Sequence, residues 1–243
     1  MPTSPSLPLT GERTLPGVAE ENYWYRRHEA AYRWLAGELS VPGATVVEAG
    51  CGEGYGGQVL ADAGAALVAG LDLDLATLRH AAVAYPDVPV AAANLVALPL
   101  ADGAVDLVVS SQVVEHLWDQ DGFVRECARV LRPGGRLVVT TPNRLTFPPG
   151  NPFHSRELDA AELGRLVGSH LDVDRVLGVH HGPRLAADDD RLGSLVAAQV
   201  RTEPDRRDDD LRARVAATTA ADFDVDDRDL PGCLDLVLTA VRR

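Results

Sequence analysis

Three residues of the segment SQVVEHL, Gln112, Glu115 and His116, stand at i, i+3 and i+4. One helical turn would bring them to a common face. A carboxylate beside an imidazole can remove a proton from a poor nucleophile such as a hydroxyl, with His116 as the general base and Glu115 orienting it. His154, in the turn-rich stretch NPFHSREL, is a second candidate for the same base. The same donors, Glu115, His116 and His154, could instead hold a divalent metal, with Gln112 as a weaker ligand. Both chemistries stay open at this level.

A second cluster lies upstream. VVEAGCGEGYGG, residues 46–57, carries five glycines within eight positions, a loop bare enough for its backbone to approach a ligand closely. Two ligands suit it. Gly52, Gly54 and Gly57 satisfy the GxGxxG dinucleotide fingerprint, and Asp72 follows Gly52 by 20 residues, where a ribose-binding acid belongs, which would make the chain an NAD-dependent dehydrogenase. The loop also reads Glu48-x-Gly50-x-Gly52-x-Gly54, an acid closing a strand before three alternating glycines.

These groups need a scaffold. Short β-rich runs alternate with helical patterns, the mark of a parallel sheet covered by helices on both faces. Strands are expected at 45–48, 66–71, 88–91, 105–110, 136–140, 173–179 and 234–241, seven in all. DQDGFVRECARVLRPGG sets Phe123, Val124, Cys127, Val130 and Leu131 on one helical face, a crossover helix ending at Pro-Gly-Gly. A further helix is expected from about 158 to 167. The acidic, arginine-dotted stretch at about 186–218 reads as a helical insertion with a solvated face, and residues 1–40 as an N-terminal segment with a lid helix ahead of a domain at 41–243.

The 243 residues are 46% hydrophobic and 24% charged, enough for one large globular domain. The net charge is −13 and every basic residue but the histidines is an arginine, which argues against a nucleic-acid partner, since phosphate binding calls for a clustered basic surface. Cys51, Cys127 and Cys233 lie far apart without CxxC spacing, so no disulfide framework or thiolate zinc site is expected. No segment has the length and apolarity of a membrane span, and a reducing cytoplasm is the expected setting.

The Glu48 version of the glycine loop resembles motif I of class I S-adenosylmethionine-dependent methyltransferases. VAGLDLD, ANLVALPLADGAVDLVVSSQVVEHL and VLRPGGRLVVTTPN resemble the family's later motifs, in its order, over roughly residues 45–143. The resemblance implies a Rossmann-like, doubly wound, mostly parallel α/β sheet, and S-adenosylmethionine as cofactor. Carried onto this sequence, it implies a cofactor site of Glu48, Gly50, Gly52 and Gly54, with Asp72 taking the ribose hydroxyls and Leu73 beside it. Ala93, Asn94 and Leu95 would lie near the adenine and Gln112 on the methionine side. In the N-terminal segment, Tyr25, Arg27, His28 and Tyr32 would cover the cofactor, with Arg27 pairing the methionine carboxylate. The alternative for this segment is an amphipathic helix packed on the sheet, with Trp24 and Trp34 as core residues.

Longer stretches, among them LTGERT, ENYWYRRH, EHLWDQ, TPNR and NPFHSRELDAAEL followed by HHGPR, resemble the actinobacterial methyltransferases associated with methylglucose lipopolysaccharide synthesis. That implies a role in polysaccharide biosynthesis and a sugar-hydroxyl acceptor on a glucose-based oligo- or polysaccharide. O-methylation of another small metabolite is the alternative within the class, and a noncatalytic cofactor-binding module lies outside it. The ExxEH of ubiquinone-pathway O-methyltransferases, and the ExxEH with a distant histidine of small-RNA ribose methyltransferases, resemble Gln112 to His116 with His154. In the latter group that pattern implies a metal. The acceptor would enter at the carboxyl ends of the strands, with His181 and Arg184 of VHHGPR beside it. The oligomeric state is not indicated.

Overall fold

The computed structural model describes residues 14–243, so the LTGERT stretch up to Arg13 lies outside the described residues. The first long element is α1 (Asn22–Glu38), which buries Tyr23, Arg27, Ala30, Ala31 and Leu35, a stripe at helical spacing. The chain then alternates through β1 (Thr45–Ala49), α2 (Tyr55–Asp62), β2 (Leu67–Asp72), α3 (Leu75–Ala84), β3 (Val90–Ala92) and β4 (Val105–Ser111). A short 3-10 turn at Val114–His116 precedes α4 (Gln120–Val130), β5 (Leu131–Pro142), α5 (Ala160–Gly168) and β6 (Asp172–His181). Three helices follow, α6 (Pro183–Leu192), α7 (Leu195–Arg201) and α8 (Asp209–Ala217), before β7 (Phe223–Asp226) and β8 (Asp235–Val241).

The strands form one sheet in the order β3-β2-β1-β4-β5-β8-β6-β7. Pairing is parallel from β3 to β5 and antiparallel at the three pairs that involve β8 or β7. This is the Rossmann-like, mostly parallel arrangement expected, with eight strands in place of seven. The extra one is β7, which pairs with the end of β6 from Gly178↔Asp226 to His181↔Phe223. Its four residues, FDVD, bury only Phe223, so charge on a short edge strand hides it in an acid-rich stretch.

Side-chain alternation sends neighbours to opposite layers. Val46 of β1 packs with Tyr32 and Leu35 of α1 and Leu60 of α2, whereas Val47 joins Phe123 of α4 and Leu163 of α5 in the second layer. In α4, Phe123, Val124, Cys127 and Val130 are buried, the face expected from their spacing. Asp119 caps α4 and Asp159, with Glu162, boxes the start of α5, so both helices begin where the loops from β4 and β5 end. Because the strand order reverses between β1 and β4, the loops leaving their carboxyl ends diverge and open a crevice between them.

Candidate active site

The loop after β1 turns on Gly50, Gly52 and Gly54, all at positive φ. At Gly50 a Cβ would lie 2.3 Å from Val113, so only glycine lets the two loops meet there. Glu48 is buried beneath this turn. The Tyr32 hydroxyl donates to its Oε1 at 2.5 Å, its buried Oε2 has no hydrogen-bond partner among the described residues, and burial pushes the carboxyl up to about 7. A Cβ on Gly56 would come within 2.1 Å of Glu48 Oε1. The carboxyl therefore lies against the buried side of the first turn of α2. That geometry makes Glu48 a residue that orders the loop from behind.

Asp72 ends β2. Its Oδ2 accepts from Gly52 N at 2.9 Å and its Oδ1 from Asp74 N at 3.0 Å, which orients the carboxylate while leaving lone pairs on both oxygens. Asp74 caps α3 through the amides of Ala76 and Thr77, the role its position suggests.

Between these loops and that following β4 lies a cavity of about 400 Å³. Of the residues expected at the cofactor, Gly50, Gly52, Asp72, Leu73, Asn94, Leu95 and Gln112 line it, while Gly54 and Glu48 stand behind the wall. Its roof comes partly from α1 through His28 and Tyr32. Burial holds His28 down to about 4, so it stays neutral, bonded through Nδ1 to the Tyr55 hydroxyl at 3.2 Å. Tyr55, Thr14 and Ser111 also line the cavity and were not picked out from sequence. Tyr55 is the one with a readable signal, directly after Gly54.

Arg27 does not reach this cavity. It is 2% exposed, bonded through Nε and Nη2 to the Asp235 carboxylate of β8, and stacked 5.2 Å over Trp24. A guanidinium whose fork is filled by one carboxylate is not available to pair a second, which corrects its expected role at the methionine carboxylate. Arg27 lines instead the second cavity, described below, whereas Tyr25 lines neither and packs edge-on against Tyr55.

The segment after β4 is not the expected helical turn. Gln112 has φ +57 and bonds Thr140 Oγ1 through Nε2 at 3.2 Å, so it leaves the face shared by Glu115 and His116. Glu115, His116 and His154 nevertheless converge, with one potential ligand atom from each lying within 4.8 Å of the others. Glu115 is buried, accepts from Thr141 Oγ1 at 2.9 Å, and is pushed up to about 8 by desolvation. His116 Nδ1 lies 3.0 Å from the Phe153 carbonyl, which can only accept, so that nitrogen carries the proton and the lone pair falls on Nε2, 4.0 Å from Glu115 Oε1. His154 Nδ1 lies 2.7 Å from Glu157 Oε1. The acid that orients His154 is thus Glu157, three residues on in HSRE, and not Glu115.

A second cavity, about 260 Å³, adjoins the first. Thr14, His28, Gln112 and His116 border both, and Trp24, Phe147, His154 and Gln199 line the second. His181 and Arg184 line neither. His181 is held between Tyr23 Oη at 2.7 Å and Asp189 at 3.1 Å, and Arg184 pairs with Asp222 and Asp188. Among the described residues no helix is long and apolar enough to cross a membrane.

Comparison with known proteins agrees with this geometry. Residues 47–139 match the family described as a methyltransferase domain. A relative from Mycolicibacterium smegmatis, whose name describes an S-adenosylmethionine-dependent methyltransferase, is 53% identical over 98% of this chain and 96% of its own. One of like name from Mycobacterium tuberculosis is 48% identical over 97% of this chain and 90% of its own. The crystal structure of an S-adenosylmethionine-dependent methyltransferase from Mesorhizobium loti shares the fold, with a TM-score of 0.59 at 20% identity, covering 93% of this chain and 99% of that one. With near-complete coverage at such identity, which also displaces the dehydrogenase reading, the chain belongs to the S-adenosylmethionine-dependent methyltransferases.

Proposed function

We propose that the protein methylates a hydroxyl oxygen, and that the acceptor is a sugar of a glucose-based oligo- or polysaccharide. When bound, S-adenosylmethionine supplies an electrophilic methyl group. Asp72 would hold the ribose hydroxyls, Leu73, Asn94 and Leu95 the adenine end, and Gly50, Gly52 and Gln112 the remainder of the first cavity. The observation that carries the reading is His116, which borders both cavities with its lone pair on Nε2. A hydroxyl in the second cavity would lose its proton to that nitrogen, with the buried Glu115 carboxyl 4.0 Å away. His154, fixed by Glu157 at Nδ1, stands beside it as the alternate base, its Nε2 having first to give up a hydrogen bond from Asn151 Nδ2 at 3.1 Å. Three buried free cysteines accord with a reducing, cytoplasmic setting.

One observation favours a second reading of the same centre. Both histidines have Nδ1 tied to an oxygen acceptor, the outer-sphere arrangement typical of metal-ligating imidazoles. Glu115, His116 and His154 would hold a divalent cation, which would acidify the acceptor hydroxyl in place of the base. The sugar assignment is tested by mass spectrometry of glucosides and oligoglucosides incubated with the enzyme and isotope-labelled methyl donor. Label on a sugar oxygen supports it, and label confined to non-sugar acceptors removes it.

A further inference from the structure

The second cavity carries a polar group that the reaction chemistry leaves unused. Gln199 of α7 is 4% exposed and lines this cavity. Its Nε2 donates to the Leu195 carbonyl one turn back, at 3.3 Å. Since that carbonyl can only accept, the amide cannot be turned round, and Oε1 is the atom left over. It has no hydrogen-bond partner and no contact with solvent. A buried amide oxygen in this condition is destabilising, and a methionine would fill the same space without that penalty. An oxygen kept there at such expense is poised for a donor that arrives from outside the chain.

Two charges on the same cavity narrow the donor's class. Glu21 and Arg207 both line it and feel each other's charge without closing an ion pair, while Arg207 is anchored through Nη1 to the Glu20 carbonyl at 2.8 Å. A carboxylate and a guanidinium held apart are bridged well by a hydroxyl, which donates to the one and accepts from the other. These two charges cancel, Arg27 on the same wall is paired with Asp235 and burial favours the neutral form of Glu115, so an acceptor with its own net charge meets no open complement here. Trp24 and Phe147, with centroids 6.5 Å apart, give the cavity an aromatic wall that suits the apolar face of a ring.

We infer that α7 is the element that selects the acceptor, through a hydroxyl donating to Gln199 Oε1 and a second hydroxyl bridging Glu21 and Arg207, and that the ligand so read is a neutral, hydroxyl-rich ring. This rests on the reading that the second cavity holds the acceptor.

The test compares the full chain with Gln199→Met and Gln199→Leu, using methyl glucoside, its uronic acid and its 2-amino counterpart as probes, each titrated by calorimetry in the presence of demethylated cofactor. The intact protein should prefer the neutral glucoside. Both variants should bind it about tenfold more weakly, the loss of one hydrogen bond, while keeping their affinity for the demethylated cofactor. Their melting temperature without ligand should stay level or rise, because the orphaned oxygen is gone. Equal glucoside affinity in variant and parent, preference for a charged probe, no binding of any probe by the intact protein, or a joint fall in melting temperature and cofactor affinity would each overturn the inference. Methyl transfer is followed separately: binding through Gln199 without labelling of any sugar oxygen would leave the subsite standing and defeat the proposed reaction.

Discussion

The rings of His116 and His154 meet edge to face at 85°, centroids 4.9 Å apart, each anchored through Nδ1 to the segment after β5, one by the Phe153 carbonyl and one by Glu157. The Nε2 of His116 is thereby presented to the volume beside the buried Glu115, while that of His154 accepts from Asn151 Nδ2 at 3.1 Å. If His116 is the base, His116→Ala should lower turnover by about 100- to 10,000-fold with cofactor affinity unchanged, and chelators should have no effect. Loss of activity on chelation, restored by magnesium, manganese or zinc, would transfer the role to a bound cation. Full turnover in both His116→Ala and His154→Ala would remove either chemical role and leave positioning alone.

Asp72 gives the sharpest check on the cofactor site. Its carboxylate is already fixed by the Gly52 and Asp74 amides, so little ordering is needed when ribose hydroxyls donate to it. Demethylated cofactor at a hundred times its dissociation constant should stabilise the intact protein by about 2.7 kcal/mol. Two lost hydrogen bonds to an ionised group, at about 1.5–3 kcal/mol each, should abolish most of that in Asp72→Ala. A melting shift in the variant equal to that of the parent would refute the assignment.

The parts of this fold legible in the sequence are those where one short-range rule decides. The alternation that divides Val46 from Val47 is local, as is the Asp74 cap, and the glycine pattern around Glu48 marks a turn that few other residues could make. What stayed hidden depended on partners far along the chain. Arg27 and Asp235 are 208 residues apart, so a buried arginine on a helix read as a ligand group when its fork was already filled. His181 borders a loop, as its position implied, but Tyr23 from α1 and Asp189 from α6 enclose it. At the catalytic centre the spacing of Gln112, Glu115 and His116 suggested an α-helical face. The positive φ at Gln112 breaks that face, and only the loop after β5 brings Glu157 and His154 to the place spacing had given to Glu115.

Glu48 links the loop's order to pH. Burial raises its carboxyl from the usual 4.5 to about 7, although the Tyr32 hydroxyl partly favours the ionised form. The folded protein therefore holds this proton more tightly than the unfolded chain. The stability tied to the protonated form is fully present below about 4.5 and is lost as pH rises through about 7, by an amount on the order of 3 kcal/mol. Glu48→Gln cannot ionise and should escape that loss. Glu115, raised in the same direction, is common to both proteins and cancels in their difference. Melting temperatures measured from pH 5 to 8.5 should thus show the variant gaining on the parent until somewhat above pH 7 and then holding a constant lead. A difference that is flat across this range, or that narrows as pH rises, would show that Glu48 is ionised throughout and that the loop is held by a carboxylate with an ordinary pKa.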